Sequence, residues 1–310
     1  MSAVTPWKVA VEEHVMLPEG PTDALLAFMD ESAIERMILS PGGPGVQAEA
    51  DPVRAAVEAR AANDAMADAI AGHPDRWSAF ATLPMQDPDA ACEELERAVA
   101  ELGLCGPLVN GYSAAADPES ALYYDDRRYD DFWERLQDLG VPFYLHPRDP
   151  LPSQQRAYEG HPELLGAAWG FGAETALHAL RLIVGGVFDR FPRVQIVLGH
   201  LGETLPFAIG RTAARLRDQT LDIAKPVDAY FREHFHVTTS GHFNEPALVA
   251  SIMEMGVDRV MFALDHPFAD AAVGNAWFDA LDLEPADREL LGRDNAMRLF
   301  GLGGRGEATA

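Results

Sequence analysis

Eight short apolar runs, separated by segments with helical spacing, constrain the fold of this chain more than any other feature. The runs lie near residues 8–14, 36–40, 77–83, 104–109, 141–146, 194–200, 236–240 and 260–265. Each run has the length of a buried strand, and the segments between them include helices that return the chain to the start of the next strand. Eight such units form a (β/α)8 TIM barrel. We therefore expect an α/β fold, with one barrel domain over residues 1–302 and a flexible tail at 303–310.

A doubly wound open sheet is the competing arrangement for alternating strands and helices. That fold carries a glycine-rich G-x-G-x-x-G turn directly after its first strand. Here the first run continues as VEEHVML, which contains no glycine. The segment PGGPGVQ follows the second run instead and predicts a flexible loop at the rim. The barrel is favoured because it also explains where the polar residues fall.

Four of the apolar runs end in residues that bind metals or carry protons. These are Glu12, Glu13 and His14 after the first run, His146 after the fifth, His200 after the sixth and Asp265 after the eighth. In a barrel, side chains at the carboxyl ends of the strands meet at one mouth, and closure brings the eighth strand beside the first. A single histidine at a strand end is usually structural. Four such ends together predict a functional site.

Alternation along the first strand separates its two acidic residues. Glu12 and His14 share one face, whereas Glu13 points to the other. A set of two carboxylates and two imidazoles suits a borderline divalent ion such as Mn²⁺ or Zn²⁺ and leaves positions open for water or substrate. We therefore expect one divalent metal ion at this end of the barrel. The alternative for Glu12 is a buried structural carboxylate.

Composition limits the partners and the location. The sequence contains 24 Lys and Arg against 49 Asp and Glu, a formal charge of -25, which argues against nucleic acid and anionic membranes as partners. An anionic substrate would need local positive charge from a metal or an arginine. Two cysteines, Cys92 and Cys105, are too few for a disulfide framework and indicate a reducing cytoplasm. The sequence has neither a signal-peptide pattern nor an apolar stretch that could span a membrane.

Several segments carry a specific resemblance to a known family. They are the Glu12-x-His14 pair, YLHPRDPL around His146, ETALHALRL around His178, LGHLGETLP from His200 to Glu203, and the strand that ends in Asp265. Over nearly its whole length the chain resembles the hydroxybenzoate decarboxylases of the amidohydrolase superfamily. The similarity is greatest to the γ-resorcylate (2,6-dihydroxybenzoate) decarboxylases, with the 2,3-dihydroxybenzoate and 5-carboxyvanillate decarboxylases nearby.

The resemblance implies a role for each candidate residue. The implied ligands of one Mn²⁺ or Zn²⁺ ion are Glu12, His14, His146 and Asp265. His200 and Glu203 correspond to a catalytic histidine–carboxylate pair beside the substrate, and Arg211 to an arginine that binds the substrate. The resemblance also implies a small aromatic carboxylate as substrate and a homodimer or homotetramer.

Two departures from the family pattern leave the ring substituents of the substrate open. The segment from Val15 to Arg36 looks shorter than its counterpart, which helps to wall the substrate pocket in these enzymes. His266 stands where the family usually has Trp or Tyr before the proline. It is either a substituted wall residue or a competing metal ligand.

The chemistry of such a site follows from the substrate. Direct loss of CO2 from an aromatic ring would leave an aryl anion that the π-system cannot stabilise. Protonation of the carboxyl-bearing carbon first turns an ortho hydroxyl into a carbonyl that accepts the electrons released with CO2. We expect Asp265 to deliver this proton, and His200, held by Glu203, to polarise the ortho oxygen.

Two other functions use the same residues. In a metal-dependent hydrolase of a lactone or amide, Asp265 would act as the base that activates water. No lysine falls at a strand end where a carbamate could bridge two metals, so either enzyme would use one ion. The third interpretation is a catalytically silent barrel that serves as a binding protein.

Overall fold

The fold is built on eight parallel strands. The structure, a computed structural model, describes residues 7–117 and 119–303. The strands are β1 (Lys8–Val15), β2 (Ile34–Pro41), β3 (Trp77–Ala79), β4 (Leu108–Asn110), β5 (Phe143–His146), β6 (Ile196–Leu198), β7 (Phe235–Thr238) and β8 (Val260–Met261). One strand lies in each of the eight predicted runs. A short hairpin of Ser113–Ala114 and Ala121–Leu122 occupies the loop after β4.

Helices cover the outside of the strands. They are α1 (Asp23–Glu31), α2 (Pro52–Ile70), α3 (Pro88–Ala100), α4 (Asp130–Leu139), α5 (Gly170–Val184), α6 (Val187–Arg190), α7 (Leu205–Leu216), α8 (Val227–His234), α9 (Glu245–Met255), α10 (Ala271–Ala280), α11 (Pro285–Glu289) and α12 (Asn295–Leu299). Asp51 caps α2 by accepting hydrogen bonds from the backbone N–H groups of Val53 and Arg54, and Pro52 occupies the first turn.

Backbone hydrogen bonds join the strands into a ring. Parallel ladders connect β1, β2 and β3, and a second set runs through β4, β5, β6, β7 and β8. Between β3 and β4, the N–H of Ala81 donates to the carbonyl of Gly106 at 2.8 Å. Between β8 and β1, the N–H of Val11 donates to the carbonyl of Phe262 at 3.1 Å. The predicted (β/α)8 arrangement is therefore confirmed.

Glu13 reinforces the seam between β8 and β1. Its buried carboxylate accepts hydrogen bonds from the backbone N–H groups of Leu264 at 2.8 Å and His266 at 3.0 Å. Burial raises the pKa of Glu13 well above its usual range, although these two hydrogen bonds oppose the shift. The prediction that Glu13 points away from Glu12 and His14 is confirmed, and its role is structural.

The interior of the barrel is apolar and closed at the amino-terminal end. Val9, Val11 and Ile38 are completely buried within the ring. Phe300, just after α12, packs edge-on against Phe80 with ring centroids 5.5 Å apart. Because the chain's last described segment fills this end, polar side chains at the opposite, carboxyl-terminal end face the accessible mouth.

One sequence-based expectation about local structure is wrong. The segment PGGPGVQ is not a flexible loop: it enters a 3₁₀ turn at Gly45–Ala48, and the buried Gln47 donates to the carbonyl of Leu83 at 2.8 Å. Short 3₁₀ turns around Pro162 and Gly166 precede α5. Helix α8 was not anticipated.

Two further findings concern the whole described chain. Among the helices of residues 7–117 and 119–303, none is long and apolar enough to cross a membrane. The flexible tail expected at 303–310 lies outside the described residues, apart from Gly303.

Candidate metal centre and substrate cleft

The carboxyl ends of β1, β5 and β8 bring the four expected ligands together. Nε2 of His146 lies 3.3 Å from Oε1 of Glu12, and Nε2 of His14 lies 3.4 Å from Oδ1 of Asp265. Ligand atoms of Glu12, His14 and His146 lie within 4.8 Å of one another, as do those of Glu12, His200 and Asp265. The side chains therefore surround one small volume at the barrel mouth.

Neighbouring strand ends orient the two imidazoles on β1 and β5. Oγ of Ser40 lies 2.8 Å from Nδ1 of His14, and Oδ1 of Asn110 lies 2.7 Å from Nδ1 of His146. An amide oxygen only accepts, so Nδ1 of His146 carries the proton and Nε2 keeps its lone pair for the centre. Burial, with His14 and His200 nearby, lowers the pKa of His146 well below its usual range, so the ring is neutral.

The residues fit a divalent metal ion. Oε1 of Glu12 and Nε2 of His14 are buried and have no hydrogen-bond partner among the described residues. Such unsatisfied atoms are rare in folded proteins and call for an explanation. Two orphaned atoms aimed at one point, together with His146 and Asp265, form a mixed oxygen and nitrogen set that suits Mn²⁺ or Zn²⁺.

His200 and Glu203 form a hydrogen-bonded pair beside this centre. Nδ1 of His200 donates to Oε1 of Glu203 at 2.6 Å, while its Nε2 lies 3.6 Å from Oδ2 of Asp265 and 4.0 Å from Oε1 of Glu12. Burial alone would lower the pKa of His200, but the three carboxylates outweigh it and raise the pKa well above the usual range. His200 can therefore donate a proton or a hydrogen bond to a group in the cleft.

Left-handed backbone conformations hold both sides of the site. His200, at φ +52°, and Glu203, at φ +53°, lie in the tight turn after β6, and Asp265 has φ +63°. Residues other than glycine seldom adopt this region, and such strain is typical of functional sites. Burial alone would raise the pKa of Asp265, but the nearby imidazoles of His14 and His200 outweigh it and lower the pKa to about 2.

Two glycines allow the backbone to approach the carboxylates closely. A Cβ on Gly199 would lie 2.8 Å from Oε2 of Glu12, and a Cβ on Gly241 would lie 2.8 Å from Oδ2 of Asp265. Gly241 also has a left-handed φ of +57°. Larger residues at these positions would displace the two acids.

A cleft of about 790 Å³ opens from the centre between α5, α7 and α9. His200, Glu203 and Asp265 lie on its polar side. The remaining wall is largely apolar and includes Trp169, Phe171, Pro206 and Phe268. A cleft with an apolar wall and a few convergent polar groups suits a small aromatic acid.

Arg211 is the one predicted site residue that lies neither in the groups that could hold a metal nor among the described residues that line the cleft. Its side chain is exposed on α7 and is not among the described residues that line the cleft. The reason is the helix itself, which carries Arg211 about two turns beyond its start at Leu205 and away from the mouth.

Two other histidines singled out in the sequence lie outside the centre. His178 is buried in α5, where its Nε2 accepts a hydrogen bond from the backbone of Tyr124 at 3.3 Å. His266 is half-buried, and in the described part of the chain it belongs to neither of the residue groups that could hold a metal. His266 is also absent from the described residues that line the cleft, so both interpretations of it stay predictions.

His242 is a cleft residue that sequence reasoning missed. It lines the cleft, and its Nδ1 lies 3.2 Å from the carbonyl oxygen of His200. Its ring is thus held on the wall that carries the histidine–carboxylate pair. It lies four residues after the end of β7, as Asp265 does after β8, so extending the strand-end rule past the seventh run would have found it.

Comparison with known proteins decides the family. Residues 11–302 match the amidohydrolase family. The chain belongs to the amidohydrolase family. Among amidohydrolases it is similar to the γ-resorcylate decarboxylase of Rhizobium radiobacter, 46% identical over 324 residues that cover 96% of this chain and 99% of the relative. That alignment is longer than the 310 residues of this chain, so the relative contains residues that have no counterpart here.

Solved amidohydrolase structures extend the similarity to the fold. A 2,6-dihydroxybenzoate decarboxylase complexed with 2,6-dihydroxybenzoate has a TM-score of 0.93 and 44% identity, covering 96% of this chain and 100% of that chain. A dihydroxybenzoic acid decarboxylase from Polaromonas sp., with bound manganese and the inhibitor 2-nitroresorcinol, has a TM-score of 0.94 and 43% identity. It covers 97% of this chain and 98% of its own.

Proposed function

We propose that this amidohydrolase is a metal-dependent, non-oxidative decarboxylase that converts an ortho-hydroxybenzoate, such as γ-resorcylate, into a phenol and CO2, reversibly. The observation that carries the proposal is the convergence of two orphaned ligand atoms, on Glu12 and His14, beside the His200–Glu203 pair. The relatives add support, since γ-resorcylate decarboxylases are similar to this chain over nearly its full length.

Four residues would hold the cofactor, one Mn²⁺ or Zn²⁺ ion. They are Glu12, His14, His146 and Asp265. Manganese has the more direct support because a similar solved structure contains it. When bound, the ion supplies positive charge that attracts the substrate carboxylate and the ortho oxygen and so orients the ring.

The proton steps belong to Asp265. Its low pKa means that it is ionised before substrate binds, so its carboxylate first accepts the proton of the ortho hydroxyl. Asp265 then delivers this proton to the ring carbon that bears the carboxylate, and the ortho oxygen becomes a carbonyl. The carbon–carbon bond breaks, its electron pair returns through the ring to that oxygen, and CO2 leaves. The resulting phenolate takes a proton from solvent to give the phenol.

His200 acts on the oxygen that receives these electrons. The raised pKa keeps its ring protonated, and Glu203 fixes the ring orientation through Nδ1. Nε2 is then free to donate a hydrogen bond to the ortho oxygen as negative charge develops there. The apolar wall of the cleft around Phe171 and Phe268 limits the access of water to the ring.

We also propose that the protein is a homodimer or homotetramer and that Arg211 binds substrate only in that assembly. Phe207, one turn before Arg211 on α7, is 90% exposed, and Met253 on α9 is 82% exposed. Contiguous exposed apolar patches often mark subunit interfaces, and these two side chains would contribute to such a patch. A neighbouring subunit packed on this face would place Arg211 at the contact between the two chains, where it could bind substrate. Light scattering of the purified protein gives the number of chains.

The cytoplasm is the proposed location. Cys92 and Cys105 are both free, as expected for a protein in a reducing compartment.

A panel of aromatic acids tests the proposed activity. The Mn²⁺-loaded protein is incubated with 2,6-dihydroxybenzoate, 2,3-dihydroxybenzoate and 4-hydroxybenzoate, and loss of each acid is followed by its absorbance. Acids with an ortho hydroxyl should react, whereas 4-hydroxybenzoate should not, because it has no ortho oxygen to accept the electrons. If none of the ortho-hydroxy acids reacts while lactones or amides are opened, the enzyme is a hydrolase.

A further inference from the structure

The second oxygen of the Glu12 carboxylate is surrounded by hydroxyl groups. Glu12 is completely buried. The hydroxyls of Tyr144 and Ser240 donate to its Oε2, and Oγ1 of Thr238 lies 3.0 Å from the same atom. Tyr144 comes from β5, Thr238 from β7 and Ser240 from the segment just after β7. Three hydroxyls from separate positions in the barrel therefore converge on a single carboxylate oxygen.

The first oxygen of the same carboxylate has the opposite environment. Oε1 of Glu12 has no hydrogen-bond donor among the described residues. Nε2 of His146 lies 3.3 Å from this oxygen and Nε2 of His200 lies 4.0 Å from it. All the hydrogen-bond donors are on one oxygen, and the other faces the centre alone.

This asymmetry restricts how Glu12 can bind a metal. A free carboxylate can bind with one oxygen or with both, and rotation about its last carbon–carbon bond exchanges the two modes. Here rotation would pull Oε2 away from three hydroxyls at once, in a buried site where unmade hydrogen bonds are costly. We propose that Tyr144, Thr238 and Ser240 form a hydroxyl clamp that holds Glu12 so that Oε1 alone binds the metal.

The clamp also connects Glu12 to the histidine–carboxylate turn. Oγ of Ser240 accepts a hydrogen bond from the backbone N–H of His200 at 3.0 Å while its own proton goes to Glu12. Gly199 lets the carboxylate lie directly against this turn. Ser240 thus fixes the ligand and the start of the turn that carries His200 in one arrangement. The three clamp residues are positioning residues, because they act through Glu12.

Binding of the metal alone tests the clamp. Mn²⁺ is titrated calorimetrically into the full-length protein, first stripped of metal with a chelator, for the wild type and for Tyr144→Phe and Ser240→Ala. Loss of one outer hydrogen bond to a metal ligand typically weakens metal binding by about 10-fold to 100-fold, and we expect a change of that size in each variant. Tyr123→Phe is the matched control, because it removes a tyrosine hydroxyl that donates to a carboxylate, that of Glu174, outside the centre.

Thr238 supplies a second, independent comparison. Thr238→Val keeps the shape of the side chain and removes the hydroxyl, whereas Thr238→Ser keeps the hydroxyl. Weak Mn²⁺ binding in the first variant and near-normal binding in the second is the expected result. The two Thr238 variants also test the clamp if Tyr144→Phe fails to fold. Thermal unfolding of each metal-free variant separates a loss of stability from a loss of affinity.

The inference rests on the proposed metal site, and the titration distinguishes the two. If the wild type binds no Mn²⁺ or Zn²⁺, the metal site and the clamp both fail. If the wild type binds metal and the clamp variants bind it equally well or more tightly, the clamp alone is wrong, and the three hydroxyls only stabilise the fold.

Discussion

Nε2 of His146 lies 3.3 Å from Oε1 of Glu12, although the two residues come from β5 and β1, on different parts of the barrel ring. Neither residue has a local reason to approach the other. Closure of the barrel brings the carboxyl ends of these strands to one mouth, and Asn110 turns the His146 ring so that its lone pair faces Glu12. This contact is therefore the clearest sign that the strand ends form one centre.

Loss of His146 should remove most of the metal. His146→Ala removes one of the four proposed ligands, the one that β5 contributes. Elemental analysis of the purified wild type should find about one Mn²⁺ or Zn²⁺ per chain, and much less in the variant. His161→Ala is the control, because His161 is exposed and pairs with Glu163 at 3.1 Å, outside the centre. Full metal content in His146→Ala would refute the ligand assignment.

Loss of His200 should affect turnover far more than metal content. His200→Ala removes the hydrogen-bond donor to the ortho oxygen, so kcat should fall by roughly 10²-fold or more while the metal stays bound. Glu203→Gln keeps a partner for Nδ1 without the negative charge and should give a smaller loss. Steady-state kinetics with metal analysis of the same samples checks both. An unchanged kcat in His200→Ala would make His200 a structural residue.

A methyl group at Gly241 should disturb Asp265. The added Cβ would lie 2.8 Å from Oδ2 of Asp265, and the left-handed φ adds strain of about 1–2 kcal/mol for an alanine. Gly241→Ala should therefore lose most of its activity and unfold at a lower temperature. Gly72→Ala, where a Cβ meets nothing within 4 Å, should behave as the wild type. If Gly241→Ala had the kcat and KM of the wild type, the activity would not depend on the observed position of Asp265.

Acid should destabilise the fold through two neutral histidines. Burial, with a nearby arginine, lowers the pKa of His178 and of His236 to about 3. In the unfolded chain both histidines take up a proton near the ordinary pKa of about 6.5, whereas in the folded chain they stay neutral. Their contribution to the free energy of unfolding is therefore fully present above that pH and is lost as the pH falls below it. Between about pH 7 and pH 5 the free energy of unfolding should fall by about 2 kcal/mol per histidine.

Urea unfolding at several pH values measures this effect. Arg259 donates to Nε2 of His236 at 3.0 Å, which requires the neutral ring. His236→Gln removes the titrating group, so its unfolding free energy should depend less steeply on pH than that of the wild type. Identical pH dependence in the two proteins would rule out His236 as a source of the acid sensitivity.

The sequence predicts the barrel and the residues at the centre well because both follow from simple periodicity. Apolar runs of strand length locate the strands, and a polar residue at the end of a run lies at the mouth of a barrel. This rule finds Glu12, His146 and Asp265 without any knowledge of contacts. It overlooks Ser40 and Asn110, which also end strands, because serine and asparagine are common at strand ends for local reasons.

The remaining features depend on three-dimensional packing that composition does not encode. Glycine-rich composition predicts a mobile loop after β2, but a Cβ on Gly43 would lie 2.8 Å from Oδ1 of Asn110, so glycine is there for close packing. The hydroxyls of Tyr144 and Thr238 meet Glu12 only because of the stagger between strands. The family resemblance predicts that Arg211 binds substrate, yet α7 carries it to the surface of the single chain.

The most direct test of the proposed function is the reaction in D2O with Asp265 changed. The Mn²⁺-loaded wild type should convert 2,6-dihydroxybenzoate into resorcinol with one deuterium at the carbon that CO2 leaves, as followed by proton NMR against an enzyme-free resorcinol control. Asp265→Asn, checked for bound metal, should give no product, because it cannot carry the proton to the ring. Labelled resorcinol formed at the wild-type rate by Asp265→Asn would contradict the role of Asp265, and a wild type that leaves every ortho-hydroxybenzoate intact would contradict the decarboxylase itself.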